Sequence, residues 1–315
     1  MNDMLEYIIR RLLIGIVVII AVTALLFGIM QMMPGDAIEL ISSPRVSPEK
    51  IAELKVLWGL DKPVVVQYFY WISRIFKGDF GTSIVSGQKV LLLISERLPF
   101  TLMLTGSALL LQYIIAIPLG LIAAYKKDSI LDRTIVAFTI GFSSIPPFWL
   151  GILLMIVFGV WLKVLPISGY NGIKSIVLPL VTMALPGLAG VLRLTRSEVL
   201  EMLRERYVET AYAKGVRRNM VLLKHVLRNA LIPVSVMFFL NLPWTIGGSV
   251  VIETVFAWPG MGTLLWRSIS TQDYPVVQGI IFIIAILTVL SNILGDILSA
   301  FLDPRVRQEM KGERI

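Results

Sequence analysis

The stretch from residue 209 to residue 233, ETAYAKGVRRNMVLLKHVLRNALIP, differs from the sequence on either side of it. It is rich in Lys and Arg and contains a single glycine, Gly215, whereas its flanks are long and apolar. A glycine placed directly after a basic residue is a common signal for the end of a helix. The helix-prone stretch 198–214 is therefore expected to end at Gly215, where the chain bends.

The residues after the bend predict a second helix with one apolar face. Asn219 is a residue type that caps helices, and Pro233 is expected to let the chain bend into the membrane. The apolar residues between them recur at the spacing of one helical face, and they are Leu223, Val226, Leu227, Ala230 and Leu231. Lys224 and Arg228 fall on another face. The segment 193–228 therefore predicts a helix–glycine–helix elbow, with an apolar side toward the protein and a basic side toward the cytosol.

Around this elbow, the composition is that of an integral membrane protein. The chain has 315 residues, of which 56% are hydrophobic and 16% are charged, and its mean hydropathy is +0.81. Soluble proteins have about 25% charged residues. The chain has no cysteine and one histidine, His225. This excludes disulfides, iron–sulfur clusters, thiolate zinc sites and multi-histidine metal sites within this chain. His225 falls on the elbow and is expected to be a surface or interface residue.

Six stretches are apolar and long enough to be membrane-spanning helices, since roughly 20 residues cross about 30 Å of hydrocarbon. They are 12–30, 100–125, 134–162, 175–192, 229–252 and 275–302. The fourth is the weakest because it contains three helix-disturbing residues. The first is alternatively a signal peptide, but its 19 apolar residues exceed the ~7–15 of a signal core. The predicted fold class is an all-α integral membrane protein with six transmembrane helices.

The distribution of Lys and Arg sets the expected orientation. With both termini in the cytoplasm, the cytoplasmic segments hold eighteen Lys and Arg residues, and the two short outside loops hold three. The Lys and Arg residues of the segment 34–99 are left out of this comparison, because long segments cross the membrane largely regardless of charge. We therefore expect both termini in the cytoplasm.

The chain then divides into four parts. They are an N-terminal transmembrane helix (1–33), an extracytoplasmic segment (34–99), a core of five helices (100–302) with the elbow loop 193–230, and a cytoplasmic tail (303–315). In the extracytoplasmic segment, Ser47 and Pro48 predict a helix start. The aromatic-rich stretch 67–76 is interpreted either as an amphipathic helix at the outer membrane surface or as a docking surface for an external partner.

By composition, the elbow is also consistent with a basic loop that contacts anionic lipid. Its spacing favours a more specific interpretation. Glu209-Thr210-Ala211, three further residues and then Gly215 resemble the E-A-A-x-x-x-G loop of the permease subunits of ABC importers. Thr210 departs from the second alanine, and the I-x-L-P ending of the general pattern is absent at its usual distance. The stretch His225-Val-Leu-Arg-Asn-Ala-Leu-Ile-Pro233 instead resembles the dipeptide, oligopeptide and nickel branch of that family.

Further stretches resemble the same branch and follow its order along most of the chain. They are Gly78-Asp-Phe-Gly-Thr-Ser83, Glu96-Arg-Leu-Pro99, Phe256-Ala-Trp-Pro-Gly-Met-Gly262, Asp273-Tyr-Pro-Val-Val-Gln-Gly279 and Asp303-Pro-Arg305. The loop before the last span also predicts a short helix over 261–270. The resemblance places this helix near an outer gate or a substrate-delivery protein.

The resemblance implies the fold of a type I ABC importer permease, with the elbow as a coupling helix that sits in a groove of an ATP-hydrolysing subunit. It assigns ATPase coupling to Glu209, Thr210, Ala211, Tyr212, Ala213, Lys214, Gly215 and Val216. The implied partners are a second related permease, two ABC ATPase subunits, an extracytoplasmic substrate-binding protein and membrane lipid, with no nucleic acid. ATP and magnesium are expected on the ATPase subunits, and no cofactor or metal is expected on this chain. The implied location is the cytoplasmic membrane of a bacterium or archaeon.

The chain lacks the motifs that would indicate an enzyme. It has no G-x-x-x-x-G-K-[ST] phosphate-binding loop, no G-x-S-x-G nucleophile and no H-E-x-x-H zinc motif, so no catalytic residue is expected. The expected function is that of a permease subunit for peptides or a related small solute, and nickel chelates, glutathione and oligosaccharides stay open as substrates. A stand-alone secondary transporter would instead show an inverted repeat or several buried charges, and the sequence shows neither.

Polar residues near helix breakers are the candidates for a translocation path, because interrupted membrane helices occur where they line protein or a water-filled cavity. Ser143, Ser144, Asn241 and Thr245 are such residues, and each lies within a few positions of a proline. Helix–helix packing explains the same breakers equally well. Asp296 is the one acidic residue within a predicted span, and we expect it to pair with a basic residue.

Overall fold

A computed structural model describes residues 2–32 and 62–302 of the chain. The predicted helix start at Ser47 and the Asp303-Pro-Arg305 stretch lie outside these residues. The helices are α1 (Asn2–Gln31), α2 (Val64–Phe76), α3 (Val90–Tyr125), α4 (Ile130–Ser143), α5 (Pro147–Leu154), α6 (Val177–Met202), α7 (Arg206–Ala213), α8 (Leu227–Val255), α9 (Met261–Ser270) and α10 (Tyr274–Leu302).

Shorter helical pieces join some of these helices. A π-helix, Met155–Trp161, continues α5, and a 3₁₀ turn, Ile173–Ile176, precedes α6. A helical turn, Arg218–Met220, and a second π-helix, Val221–Val226, lead into α8. The predicted helix over 261–270 is α9, so that prediction is confirmed.

Five helical stretches are long and apolar enough to cross a membrane. They are Glu6–Gln31, Val90–Tyr125, Ile173–Met202, Arg218–Val255 and Tyr274–Leu302. A sixth is obtained if α4 and α5, with its π-helical continuation, form one bent span. Five of the six predicted spans therefore coincide with continuous helical stretches, and the all-α membrane fold is confirmed.

The third predicted span, 134–162, is wrong as a continuous helix. The chain bends by 97° between Ile130–Ser143 and Pro147–Trp161. The reason lies in Pro146 and Pro147, which have no backbone N–H to donate and which disfavour a helical conformation in the preceding residue. The bend leaves Ser143 and Ser144 exposed.

Two helices extend beyond their predicted spans. α3 begins at Val90 rather than at residue 100, and Pro99 lies inside it. α6 continues past residue 192 to Met202, with Pro186 inside it. Apolarity marks the part of a helix that contacts hydrocarbon, and a helix can continue beyond that part.

The most extensive helix packing is that of α3 against α6. A Cβ on Gly120 would lie 2.8 Å from Thr195 Cβ and 2.9 Å from the carbonyl oxygen of Leu192. Ala116 and Leu192 are completely buried in the same contact region. Small residues that allow close backbone approach are typical of helix pairs in membranes.

Helix α1 packs along α10, and an ion pair joins them. Arg11 Nη1 lies 3.1 Å from Asp296 Oδ2. Gly15, one turn further along α1, is so close to α10 that a Cβ would collide with Val289. Asp296 therefore has a basic partner, as predicted.

Asp296→Asn is expected to lower the free energy of unfolding by only about 0.5–1 kcal/mol, because ion pairs at partly exposed positions contribute little. Thermal unfolding of the purified protein measures this change. Arg11→Gln should cost a similar amount, and the double variant should cost less than the sum of the single ones. Normal folding with abolished transport in Asp296→Asn would contradict this structural role.

The end of the bundle where α8 finishes and α10 begins is called the loop end, and two of the quoted motif stretches meet there. Ser83 Oγ donates a hydrogen bond to Asp273 Oδ2 at 2.5 Å, and the backbone N–H of Ile84 donates to Asp273 Oδ1 at 3.0 Å. A Cβ on Gly279 would lie 2.7 Å from Val90 Cγ1. These contacts hold the first turns of α3 and α10 together.

The aromatic-rich stretch 67–76 lies in α2, which packs on α1 and α10. The Tyr68 hydroxyl is buried and lies 2.9 Å from Thr23 Oγ1. The rings of Trp71 and Phe282 pack edge to face. Phe69 and Phe76 are exposed. Both roles proposed for this stretch, at the membrane surface and in docking, stay predictions.

Candidate functional site

The predicted coupling residues lie at the opposite end of the bundle, which is called the elbow end. The stretch 198–214 is not one helix, as predicted, but two. α6 ends at Met202, the chain turns over the next three residues, and α7 begins at Arg206. The turn redirects the chain, so α7 is a separate short helix rather than an extension of α6.

The bend at Gly215 is confirmed. Gly215 has φ +76°. Glycine adopts this conformation readily, whereas a residue with a Cβ adopts it only at a cost in free energy. Its N–H donates to the carbonyl oxygen of Tyr212 at 2.9 Å, and the N–H of Val216 donates to that of Ala211 at 3.2 Å. These two bonds close the last turn of α7.

The second half of the elbow differs from the prediction in its start and in its buried face. The helical turn begins at Arg218, after Arg217, so Asn219 lies inside it and does not cap it. In the π-helix that follows, Val221 and Leu222 are buried and Leu223 is exposed. A π-helix has a longer repeat than the 3.6 residues on which the prediction was based.

The chain also does not bend into the membrane at Pro233. That residue lies inside the continuous helix α8, as does Pro243. Prolines are tolerated in membrane helices because neighbouring groups satisfy the freed carbonyl oxygens. The elbow therefore passes into α8 without a break in the helical stretch from Arg218 to Val255.

The inner face of the elbow is part of a hydrophobic core shared with three long helices. Val208 and Ala211 of α7 are buried against Val221 and Val226, and the same cluster includes Ala124 of α3 and Val199 of α6. In addition, the Arg218 guanidinium lies 4.5 Å from the centre of the Tyr125 ring at the end of α3. The elbow is thus packed directly against α3, α6 and α8.

The outer face of the elbow carries most of the predicted coupling residues. Glu209, Thr210, Tyr212, Ala213, Lys214 and Gly215 are exposed, whereas Ala211 is buried and Val216 is half-buried. No atom lies within 4 Å of the position that a Cβ on Gly215 would occupy. His225 is also exposed, as predicted. The eight residues thus divide into an accessible surface and two residues that attach it to the bundle.

A cavity of about 390 Å³ lies between the helices and brings together three of the four predicted path residues. Ser143, Asn241 and Thr245 line it. Ser144 does not, and its hydroxyl donates to the carbonyl oxygen of Ile140 at 2.9 Å. The cavity is lined by α3, α6, α8 and the bend between α4 and α5, so the broken third span contributes directly to it.

Two amide side chains that line this cavity are fixed by hydrogen bonds. Gln112 Nε2 donates to the carbonyl oxygen of Gly187 at 3.0 Å, and a Cβ on Gly187 would overlap the Gln112 side chain. Asn241 Nδ2 donates to the Tyr113 hydroxyl at 3.1 Å. Of the described residues that line the cavity, Arg193 alone is charged.

A smaller cavity of about 210 Å³ lies at the loop end beside α2. The rings of Tyr70, Trp71 and Phe80 line it, together with the ion pair between Arg74 and Asp79. The N–H of Gly81 and the Arg74 guanidinium bind the Asp79 carboxylate and hold its pKa below the ordinary value. This carboxylate is therefore ionised at neutral pH.

Sequence reasoning missed a buried carboxylate at the loop end. Glu253 lies one residue beyond the predicted end of the fifth span and is completely buried. Its Oε1 accepts hydrogen bonds from Thr101 Oγ1 at 2.7 Å and Ser249 Oγ at 3.2 Å, and its Oε2 accepts from the N–H groups of Gly262 at 2.6 Å and Thr263 at 3.2 Å. The side chain thus ties α8 to α3 and to the first turn of α9.

The glycines of the Phe256–Gly262 motif make room for this carboxylate. A Cβ on Gly260 would collide with Glu253 Oε2, and a Cβ on Gly262 would lie 2.5 Å from the Cα of Val250. Trp258 of the same motif is buried and donates from Nε1 to the carbonyl oxygen of Phe100 at 3.1 Å. In the sequence, the available signal for this buried site is an acidic residue, Glu253, followed seven and nine residues later by Gly260 and Gly262.

Family models match nearly the whole chain. The model of the binding-protein-dependent transport system inner membrane component matches residues 116–308, and the model of the N-terminal part of such components matches residues 4–105. The chain belongs to the family of inner-membrane components of binding-protein-dependent transport systems.

Three curated relatives of this transport family each match 96% of this chain. The oligopeptide transport system permease protein AppB of Bacillus subtilis is 40% identical, with 99% of its own length covered. The glutathione transport system permease protein GsiC of Salmonella typhimurium is 38% identical over the same shares of both chains. A probable peptide ABC transporter permease protein of Sinorhizobium fredii, y4tP, is 34% identical, also with 99% of its length covered.

A solved structure has the same fold as this family member. It is a chain of the MetNI methionine ABC transporter in an inward facing conformation, 22% identical, with a TM-score of 0.57. The match covers 68% of this chain and 97% of that chain. This confirms the predicted permease fold, and the chain is a multi-pass inner-membrane transport component rather than an enzyme.

Proposed function

We propose that this chain is one of two permease subunits of an ATP-driven importer of peptides. The observation that carries the proposal is the connection between the elbow and the cavity. Helices α3, α6 and α8 hold the inner face of the elbow and also line the cavity. A force applied at the elbow therefore acts on the walls of a space that holds a small solute.

The elbow is the surface that an ATPase subunit would contact. It is compact, its inner face is packed into the bundle, and its outer face is polar and accessible. Two ATPase subunits that bind and hydrolyse ATP with magnesium would push the elbows of two permeases together and apart. The Lys and Arg distribution supports placing the elbow and both termini in the cytoplasm.

Peptides are the proposed substrate because most of the named relatives transport peptides or oligopeptides. Glutathione, the substrate named for GsiC, is itself a small peptide and is a second candidate. An extracytoplasmic binding protein would deliver either one at the loop end. A second, related permease would complete the wall of the cavity, which is open to its surroundings in this chain.

The test is uptake by the reconstituted assembly. The chain is purified with its partner permease and ATPase subunits, placed in liposomes, and given labelled tripeptide and the binding protein. Uptake that requires ATP, the binding protein and both permeases supports the proposal. Uptake by this chain alone, driven by an ion gradient, would replace it with a secondary transporter.

A further inference from the structure

The arginine in the large cavity has no acidic partner. Arg193 lies on α6, is exposed, and lines the cavity together with neutral residues. Its Nε donates to the carbonyl oxygen of Ala189 at 3.1 Å. Within residues 2–32 and 62–302, no carboxylate lies within 4 Å of its side chain. The guanidinium therefore has most of its donors available to a solute.

The neighbouring arginine on the same helix is bound differently. Arg196, three residues further along α6, donates from Nε and Nη2 to the two oxygens of Asp132 at 2.8 Å and 2.7 Å. That pair ties α6 to the first turn of α4. Arg196 is thus fixed by a partner of its own, whereas Arg193 faces the cavity without one.

Arg193 lies at the elbow end of the cavity. The lining residues of α6 run from Met183 to Arg193, which is about 15 Å at the rise of an α-helix. A Cβ on Gly190, one turn before Arg193, would lie 3.6 Å from Met237 Cε, and Met237 is the cavity residue of α8 closest to the elbow. The rest of the wall offers neutral polar groups, among them Gln112, Asn241 and Thr245.

We propose that Arg193 binds the C-terminal carboxylate of a peptide as the peptide passes through the cavity. The inference rests on the proposed function. The guanidinium is accessible from the cavity, and no other described residue of the cavity wall is charged. The guanidinium matches a carboxylate with two parallel hydrogen bonds. The C-terminal carboxylate is the anionic group that unmodified peptides of different sequence share, so binding at this point permits many side chains.

The test compares a tripeptide with a free C-terminus and the same tripeptide with an amidated one. Both are given to the full reconstituted assembly, and uptake is measured for the wild type, Arg193→Gln and Arg193→Lys. Wild-type uptake should favour the free peptide. Arg193→Gln should reduce uptake of the free peptide at least tenfold and change uptake of the amide little, and Arg193→Lys should retain part of the preference.

Arg133→Gln is the matched control, because Arg133 is an exposed arginine of α4 that does not line the cavity. It should keep the wild-type preference. Since the binding protein is the same in every assay, its own preference cancels between variants. Equilibrium binding of the two peptides to the permease assembly without the binding protein gives a second readout of the same preference.

Two results would overturn the inference while leaving the proposed function intact. One is an unchanged ratio of free to amidated peptide in Arg193→Gln. The other is an equal loss of both peptides, which would indicate that Arg193 binds a lipid phosphate or supports the fold. If the wild-type assembly imports neither peptide with ATP, the proposed function itself fails, and this inference fails with it.

Discussion

Glu253→Ala is expected to destabilise the protein by about 3 kcal/mol, because it leaves several buried hydrogen-bond donors without an acceptor. The substitution leaves the Thr101 hydroxyl and the N–H groups of Gly262 and Thr263 without their acceptor, in a space that is completely buried. Each unsatisfied buried donor costs about 1–3 kcal/mol. The protein in detergent should unfold at a clearly lower temperature, and α9 should become accessible to protease.

Glu253→Gln is the informative comparison. It keeps the shape and one carbonyl oxygen, which the N–H groups of Gly262 and Thr263 can share, so it should destabilise the protein less than alanine does. Glu201→Ala, at an exposed position of α6, controls for the loss of a carboxylate. If Glu253→Ala unfolds at the same temperature as Glu201→Ala, the carboxylate does not hold the loop end together.

Ala213→Trp is expected to reduce ATP-driven uptake at least tenfold while leaving the protein folded. Ala213 is exposed at the end of α7, on the accessible face of the elbow, so a large ring there meets no part of this chain's core. The ring would instead obstruct a partner surface that fits closely over α7. Uptake by the reconstituted assembly measures the loss, and thermal unfolding of the permease checks its fold.

The choice of position matters for this test. Gly215→Trp adds the same ring but also forces a residue with a Cβ to φ +76°, which costs about 1–3 kcal/mol of backbone strain. Ala211→Trp places the ring in the buried cluster and would disturb the fold. Ala213→Ser is the matched control, since it changes the side chain without covering the surface. Wild-type uptake and ATP hydrolysis in Ala213→Trp would remove the elbow from the coupling mechanism.

The membrane fold could be predicted because long apolar stretches have few alternatives. Apolarity alone predicts five spans correctly, including the weakest, which corresponds to α6. Apolarity carries no information on direction, so the 97° bend at Pro146 and Pro147 was not predicted. Two adjacent prolines predict a break in the helix, but the angle between the helices before and after the break depends on what packs against each of them.

The elbow is predicted in outline, and its buried face is wrong in detail because of the helical repeat. The Gly215 bend follows from the chemistry of a single residue, which the sequence displays. The buried face follows from the helical repeat, and the π-helix at Val221–Val226 changes that repeat. As a result, Leu222 occupies the buried position that the α-helical repeat assigned to Leu223.

The cavity residues illustrate a different limit. Ser143, Asn241 and Thr245 were predicted from their neighbouring prolines and do line the cavity, although their role in transport stays a prediction. Arg193 and Gln112 also line it, but no proline or unusual spacing marks them. Glu253 lies just outside the fifth predicted span, so apolarity does not mark it as a buried acid. Its partners are distant in sequence, so its setting emerges only when the helices are assembled.

The unbroken helical stretch of 38 residues from Arg218 to Val255 has a mechanical consequence. The elbow lies at one end of it and the Glu253 side chain near the other, roughly 55 Å apart at helical rise. The stretch contains three places where a helix bends most easily, which are the π-helix Val221–Val226, Pro233 and Pro243. If these places stay straight, a rotation of the helix about its middle would move its two ends in opposite directions.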